Sequence, residues 1–378
     1  MGVNNKPVEE LDTLIIKRAY YVLGISIAGL SLIMLNWLGL SSIMFNVMTI
    51  KRIVLGAVYY IVPMATAMAG FAITQLPATF LLSRFGNRVS MFLGLLLNGI
   101  SLIFSATDSY HMALFLRFLA GMGLGLYLIP SLLLILGWWS IRGLTRWVQV
   151  AYLSSITILI PLSSLLTMGM ARSTAIYLGV ASLVLAILVL FTTKDAVIIR
   201  KISMVAVMNN PDILILSIAF SIPWGGVYLS LFPLIMQLSN YLGIMELTIP
   251  MAITPLLYRF RHSVKTEKRT ALLYLTIGLG VLVALMGISN TWEFILAPVG
   301  LMFTLILLLI LYMVNDLVSP ILIAQSTGYL LTVSSIIGSI IGIITGYSVQ
   351  YLGTLGWIVI GALFAASSIF YRILKVTL

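Results

Sequence analysis

The chain has 378 residues, of which 61% are hydrophobic and only 8% charged, with a formal net charge of +11. Its mean hydropathy is +1.15. A soluble domain carries about 25% charged residues, so this chain is too poor in charge to cover a water-facing surface. The absence of cysteine excludes disulfides, thiol nucleophiles and cysteine metal sites.

Lipid is therefore the expected solvent, and there only helices or closed barrels satisfy every backbone polar group. The apolar runs reach about 20 residues, the length of a spanning helix and twice that of a barrel strand. The predicted fold is all-α and integral to the membrane. Residues 1–19 form a polar tail that carries Glu9, Glu10 and Asp12. It lacks the charged-then-apolar order of a cleaved leader, so the first span is expected to stay in the mature protein.

In chain order, the apolar runs predict twelve spans near residues 20–47, 53–82, 89–107, 110–136, 146–168, 173–192, 212–237, 242–258, 270–289, 292–314, 319–347 and 354–374. The basic residues test that count. Seventeen of the 21 fall on one side: Lys6, Lys17, Arg18, Arg84, Arg88, Arg142, Arg146, Lys194, Arg200, Lys201, Arg259, Arg261, Lys265, Lys268, Arg269, Arg372 and Lys375. Lys51, Arg52 and Arg172 fall on the other, and Arg117 lies within a span. Such a bias matches the positive-inside rule. It places both termini in the cytoplasm of a cell-membrane protein, and it explains the positive charge without a nucleic-acid partner.

The longest central polar break, residues 193–211, divides the spans six and six. The expected organisation is a bundle over residues 20–192, a cytoplasmic linker over 193–211, a second bundle over 212–374 and a short tail over 375–378. Two such bundles are the layout of a carrier with its site near the midplane.

Local motifs point the same way. The break after span two reads Pro77-Ala-Thr-Phe-Leu-Leu-Ser-Arg-Phe-Gly-Asn-Arg88, and span four carries Arg117-Phe-Leu-Ala-Gly-Met-Gly-Leu-Gly125. These resemble the cytoplasmic loop signature and the fourth-helix Arg of the major facilitator superfamily. Arg84, Gly86 and Arg88 match the loop pattern, whereas Thr79 stands at its first Gly and Ser83 at its Asp. Trp138-Trp139 through Arg142-Gly143 is also similar to that family. The resemblance implies twelve transmembrane helices in two six-helix bundles, and transport by alternating access.

Arg117 is the ionisable residue placed inside a span, about 10 Å along the helix at 1.5 Å per residue. A charge there is costly and marks function by default. One reading has it attract an anionic substrate with its forked donors. The other has it bond neighbouring helix carbonyls or amides, and the family resemblance implies helix contacts or proton coupling. All ten acids lie at termini, loops or span ends, and the histidines are His111 and His262. Proton relays use such groups within the membrane, so uniport and anion exchange stand beside proton symport.

The further substrate-site candidates are Asn36, Tyr60, Gln75, Gln149, Tyr152, Trp224, Tyr228, Gln325 and Tyr329, with interhelical bonding as the alternative for each. Candidate gating residues are Arg84, Gly86 and Arg88, with a bridge from Arg84 or Arg88 to Asp316 and with Ser83 capping span eleven. Pro223, Gly225 and Gly226 mark a hinge in span seven, and Gly338, Gly342 and Gly346 form a smooth face on span eleven. The expected activity is secondary active or facilitative transport of a small solute, an organic anion foremost, by a monomer that needs no cofactor or metal. Membrane-embedded enzymes and channels are the competing classes. They lack, respectively, a paired-acid or histidine constellation and a charged ring or filter.

Overall fold

The computed structural model describes residues 6–50, 57–105, 107, 109–140, 152, 155, 159, 172–195, 204–231, 245–247, 249–251, 253, 267–288, 293–319 and 322–374. Among the described residues the chain is helical throughout. The helices are α1 (Lys6–Ile50), α2 (Ala57–Phe85), α3 (Asn87–Ile103), α4 (Tyr110–Ser140), α5 (Arg172–Thr192), α6 (Met204–Met208), α7 (Pro211–Pro223), α8 (Lys268–Ile288), α9 (Glu293–Leu317), α10 (Ile323–Leu352), α11 (Thr354–Ser367) and α12 (Ile369–Ile373).

Seven segments in these helices are long and apolar enough to cross a membrane: Leu14–Trp37, Tyr110–Trp139, Ser173–Thr192, Lys268–Ile288, Phe294–Leu317, Gln325–Leu352 and Thr354–Ile373. Ile61–Gln75, Asn87–Ile103 and Pro211–Val227 are shorter apolar helices. These ten coincide with predicted spans. Of the other two, 146–168 lies almost wholly outside the described residues and 242–258 lies mostly outside them. Helix α1 already begins at Lys6, inside the predicted tail.

The outward surface is apolar. On α5, Val180, Val184, Ile187 and Phe191 are exposed at helical spacing, and on α10 so are Ile336, Ile340, Ile344, Tyr347 and Tyr351. In water such stripes would drive association; against lipid tails they are the matching surface. Aromatic groups gather at the helix ends. Tyr347 stacks on Tyr351 with centroids 6.0 Å apart, and Tyr20 meets Trp139 edge-on at 5.2 Å. Arg18 lies 5.7 Å over the Trp138 ring, and Trp138 donates to the Lys194 carbonyl at 3.0 Å. Aromatic girdles of this kind belong at the two membrane–water boundaries.

Between helices, contact depends on small residues, because lipid supplies no hydrophobic drive for association. Helix α4 packs against α1, α2 and α3. A Cβ on Gly121 would lie 1.8 Å from the Ala67 carbonyl oxygen, so α2 and α4 meet backbone to backbone there. Proline inside these helices is tolerated where its freed carbonyl finds a partner. Pro130 removes the N–H that would bond the Leu126 carbonyl, and Ser90 of α3 donates to that carbonyl at 2.8 Å.

Helices α1 to α5 pack chiefly on one another, as do α7 to α12, and α10 lies along α2. That last contact joins residues far apart in the chain and positions the polar groups described next.

Candidate functional site

Arg117 is fully buried. Its Nη1 donates to the Asn36 main-chain carbonyl at 3.2 Å, and its Nη2 lies 2.9 Å from Met64 Sδ. It thus ties α4 to α1 and α2. The Asn36 side chain continues the tie: its amide donates to Asn98 Oδ1 at 2.7 Å and to Ser101 Oγ at 3.2 Å. Asn98 donates to Ser182 Oγ at 3.1 Å, and Ser182 to the Leu95 carbonyl at 2.9 Å. Ser101 donates to the Leu116 carbonyl, beside Arg117, at 2.9 Å. All these side chains are buried. A polar chain therefore runs across α4, α1, α3 and α5. Asn98, Ser101 and Ser182 were not among the sequence candidates. Serine and asparagine inside an apolar run carry no periodic signal, and their side-chain partners lie 62 or more residues away.

Tyr152 is also engaged in the interior, with its hydroxyl 2.5 Å from Ser131 Oγ. Trp224 donates from Nε1 to Ser335 Oγ at 3.2 Å and stacks on Phe303 with centroids 6.3 Å apart. It fastens the segment after α7 to α10 and α9. Tyr329 is half-buried against the core. The side chains of Tyr60 and Tyr228, and Gln149 as a whole, lie outside the described residues.

The segment Pro223–Gly226, expected as a hinge, falls where the α-helix gives way to a π-helix over Trp224–Leu231. Pro223 ends the regular ladder. A Cβ on Gly225 would lie 2.3 Å from the Gly338 carbonyl oxygen, and one on Gly226 would strike the Phe364 ring at 2.1 Å. Gly225 and Gly338 thereby let the two backbones touch. A π-stretch in a membrane helix often marks a functional position.

The expected bridge from Arg84 or Arg88 to Asp316 is not formed in this structure. Asp316 pairs with Lys268, both about two-fifths exposed, and neither Arg84 nor Arg88 is joined to it. Lys268 opens α8 and Asp316 closes α9. These consecutive helices pack together, which brings their adjoining ends within reach; Tyr312 holds the ammonium further, 5.9 Å over its ring. Arg84 and Arg88 are exposed, and the Ser83 side chain lies outside the described residues. Gly86 has φ of +83°, the left-handed region that favours glycine. A Cβ there would lie 2.5 Å from Asp195 Oδ2, and Asn87 donates to Asp195 Oδ1 at 2.7 Å. The loop after α2 is thus anchored by an acid from the end of α5.

Two candidates, Gln75 of α2 and Gln325 of α10, stand apart. They are 1% and 4% exposed. Among the described residues, both amide atoms of Gln75 and the Oε1 of Gln325 have no hydrogen-bond partner. Gln75 faces the contact between α2 and α10: a Cβ on Gly328, one helical turn from Gln325, would lie 3.3 Å from Gln75 Oε1. Ser326 is likewise buried, with its Oγ unpartnered. No model of a known protein family matches the chain, and no curated protein sequence matches it either.

Proposed function

We propose that the chain is a secondary active or facilitative carrier of a small solute. It works by alternating access between two six-helix bundles, in the manner of the major facilitator superfamily that its loop and fourth-span motifs resemble. The observation that carries this reading is the lengthwise contact of α2 with α10. One helix comes from each expected bundle, and buried uncharged amides lie at the contact. Substrate sites of two-bundle carriers lie at such repeat interfaces.

Three further features support it. The positive-inside bias agrees with twelve spans. The π-helical stretch after Pro223 provides a segment that absorbs bending beside the same helix, α10. The Arg117–Asn36–Asn98–Ser182 chain makes α1, α3, α4 and α5 move together, as rigid-body rocking of a bundle requires.

The test is counterflow in proteoliposomes, after a thermal-shift screen of small solutes on the purified protein. A carrier gives saturable uptake that unlabelled solute on the far side accelerates. Uptake that rises linearly with concentration and ignores trans solute would instead identify a channel.

A further inference from the structure

We infer that the α2–α10 seam, at the end assigned to the cytoplasm, is a binding site for an uncharged polar solute that offers donors and acceptors together, as polyols and amides do. The inference takes the carrier reading as its frame and names the substrate class; the site itself stands on the seam.

Gln75 and Gln325 are more than nine-tenths buried and approach the same face of α10, marked by Gly328. Residues three apart on a helix lie about 5–6 Å apart at Cβ, so Gln325 is within one ligand diameter of the Gln75 amide. In a dry interior an unbonded amide costs several kcal/mol, about 4–8 on the harshest transfer scale, and native proteins rarely leave such groups unmet. The unmet amide atoms of Gln75 and Gln325 therefore call for a partner that the described residues do not provide.

The chemistry of that partner follows from the groups present. Gln75 offers both donor and acceptor and Gln325 an acceptor, and neither residue carries charge. An ion brought here would meet only dipoles in a low-dielectric site, where uncompensated charge is far costlier than an unbonded amide. The cation that suggested an anionic substrate sits elsewhere. Arg117 meets α2 at Met64, 11 residues from Gln75, or about 16 Å along the helix at 1.5 Å per residue. It cannot neutralise a ligand held at Gln75. Gly328 lacks the Cβ that would press on Gln75 Oε1 and Ile129 Cγ1, which lets the α10 backbone lie close to the amide.

The chain contains no cysteine, so single introduced thiols report without background. Gln75→Cys and Gln325→Cys, each in the full-length purified protein, are treated with methanethiosulfonates bearing a neutral hydroxyethyl, an anionic sulfonatoethyl or a cationic trimethylammonioethyl group. Rates are normalised to Ser319→Cys, an exposed position. The proposal predicts that the hydroxyethyl reagent modifies the seam thiols at least tenfold faster than either charged reagent. Charge-blind modification, which a water-filled vestibule or a simple gate would give, overturns it, and so does modification by none of the three. The two positions are read independently, so one misfolded variant does not decide the result. Neutral-selective labelling without counterflow removes the carrier reading and leaves the site. Counterflow with charge-blind labelling does the reverse.

Discussion

Arg117 Nη1 donates to the main-chain carbonyl of Asn36, 3.2 Å away across the α4–α1 contact. The charge in the fourth helix thereby fastens neighbouring helices, with Met64 of α2 on its other nitrogen. A hydrogen bond to a charged group contributes about 1.5–3 kcal/mol. Arg117→Ala is expected to lose that amount, read as a lower melting temperature in detergent. Arg117→Lys should fare little better, because one ammonium cannot reproduce the guanidinium fork. An unchanged melting temperature in Arg117→Ala would reject the clamp.

The amide pair Asn36–Asn98 should be energetically coupled. Interhelical polar bonds in membrane proteins average about 0.6 kcal/mol, with a maximum near 1.7. A double-mutant cycle with Asn36→Ala and Asn98→Ala is expected to give coupling in that range. Additive losses would mean that the 2.7 Å bond contributes nothing to stability.

Glycine positions separate close contact from mere helix flexibility. Gly121→Ala puts a methyl 1.8 Å from the Ala67 carbonyl oxygen. Overpacking of this kind costs about 1–3 kcal/mol, so a broadened gel-filtration peak and a lower melting temperature are expected. Gly24 in α1 has nothing within 4 Å of an added Cβ. Gly24→Ala should be neutral, or stabilise by about 0.5–1 kcal/mol through helix propensity. Equal damage at both positions would contradict the packing described.

The pair Lys268–Asp316 is partly exposed, and such pairs contribute about 0–1 kcal/mol. Asp316→Asn is expected to change the melting temperature little. Exchanging the charges of Lys268 and Asp316 should restore whatever each single reversal loses. Exchanging those of Arg84 and Asp316 should restore nothing. Rescue by the second exchange would show that Asp316 serves Arg84 after all.

The spans were legible because lipid selects for length and hydropathy, both of which are one-dimensional properties. Ten predicted spans accordingly coincide with apolar helices among the described residues. Tertiary partners were not legible. Gln75 and Gln325 could be named as polar residues in spans, but nothing in the sequence placed them on the same seam. Asn98 and Ser182 went unnoticed because a buried polar residue and a lipid-facing one look alike in a sequence, which carries no helix rotation. The Lys268–Asp316 pair was not legible for a related reason. Many cations fall on the same predicted face, and the packing of α8 on α9 decides which is nearest. The break at Pro223 was readable from Pro and Gly, whereas its π-helical form depends on the close approach of Gly225 to Gly338.

Alternating access between the halves is tested most directly by distance distributions from paired spin labels, with no need for the substrate. One pair sits on Arg84→Cys and Ser319→Cys at the ends expected to be cytoplasmic, and the other on Ser109→Cys and Thr354→Cys at those expected to face outward, all exposed positions. A carrier predicts two populations in each pair, with long cytoplasmic distances accompanying short outer ones as conditions shift the balance. A single narrow, invariant distance in both pairs would contradict it.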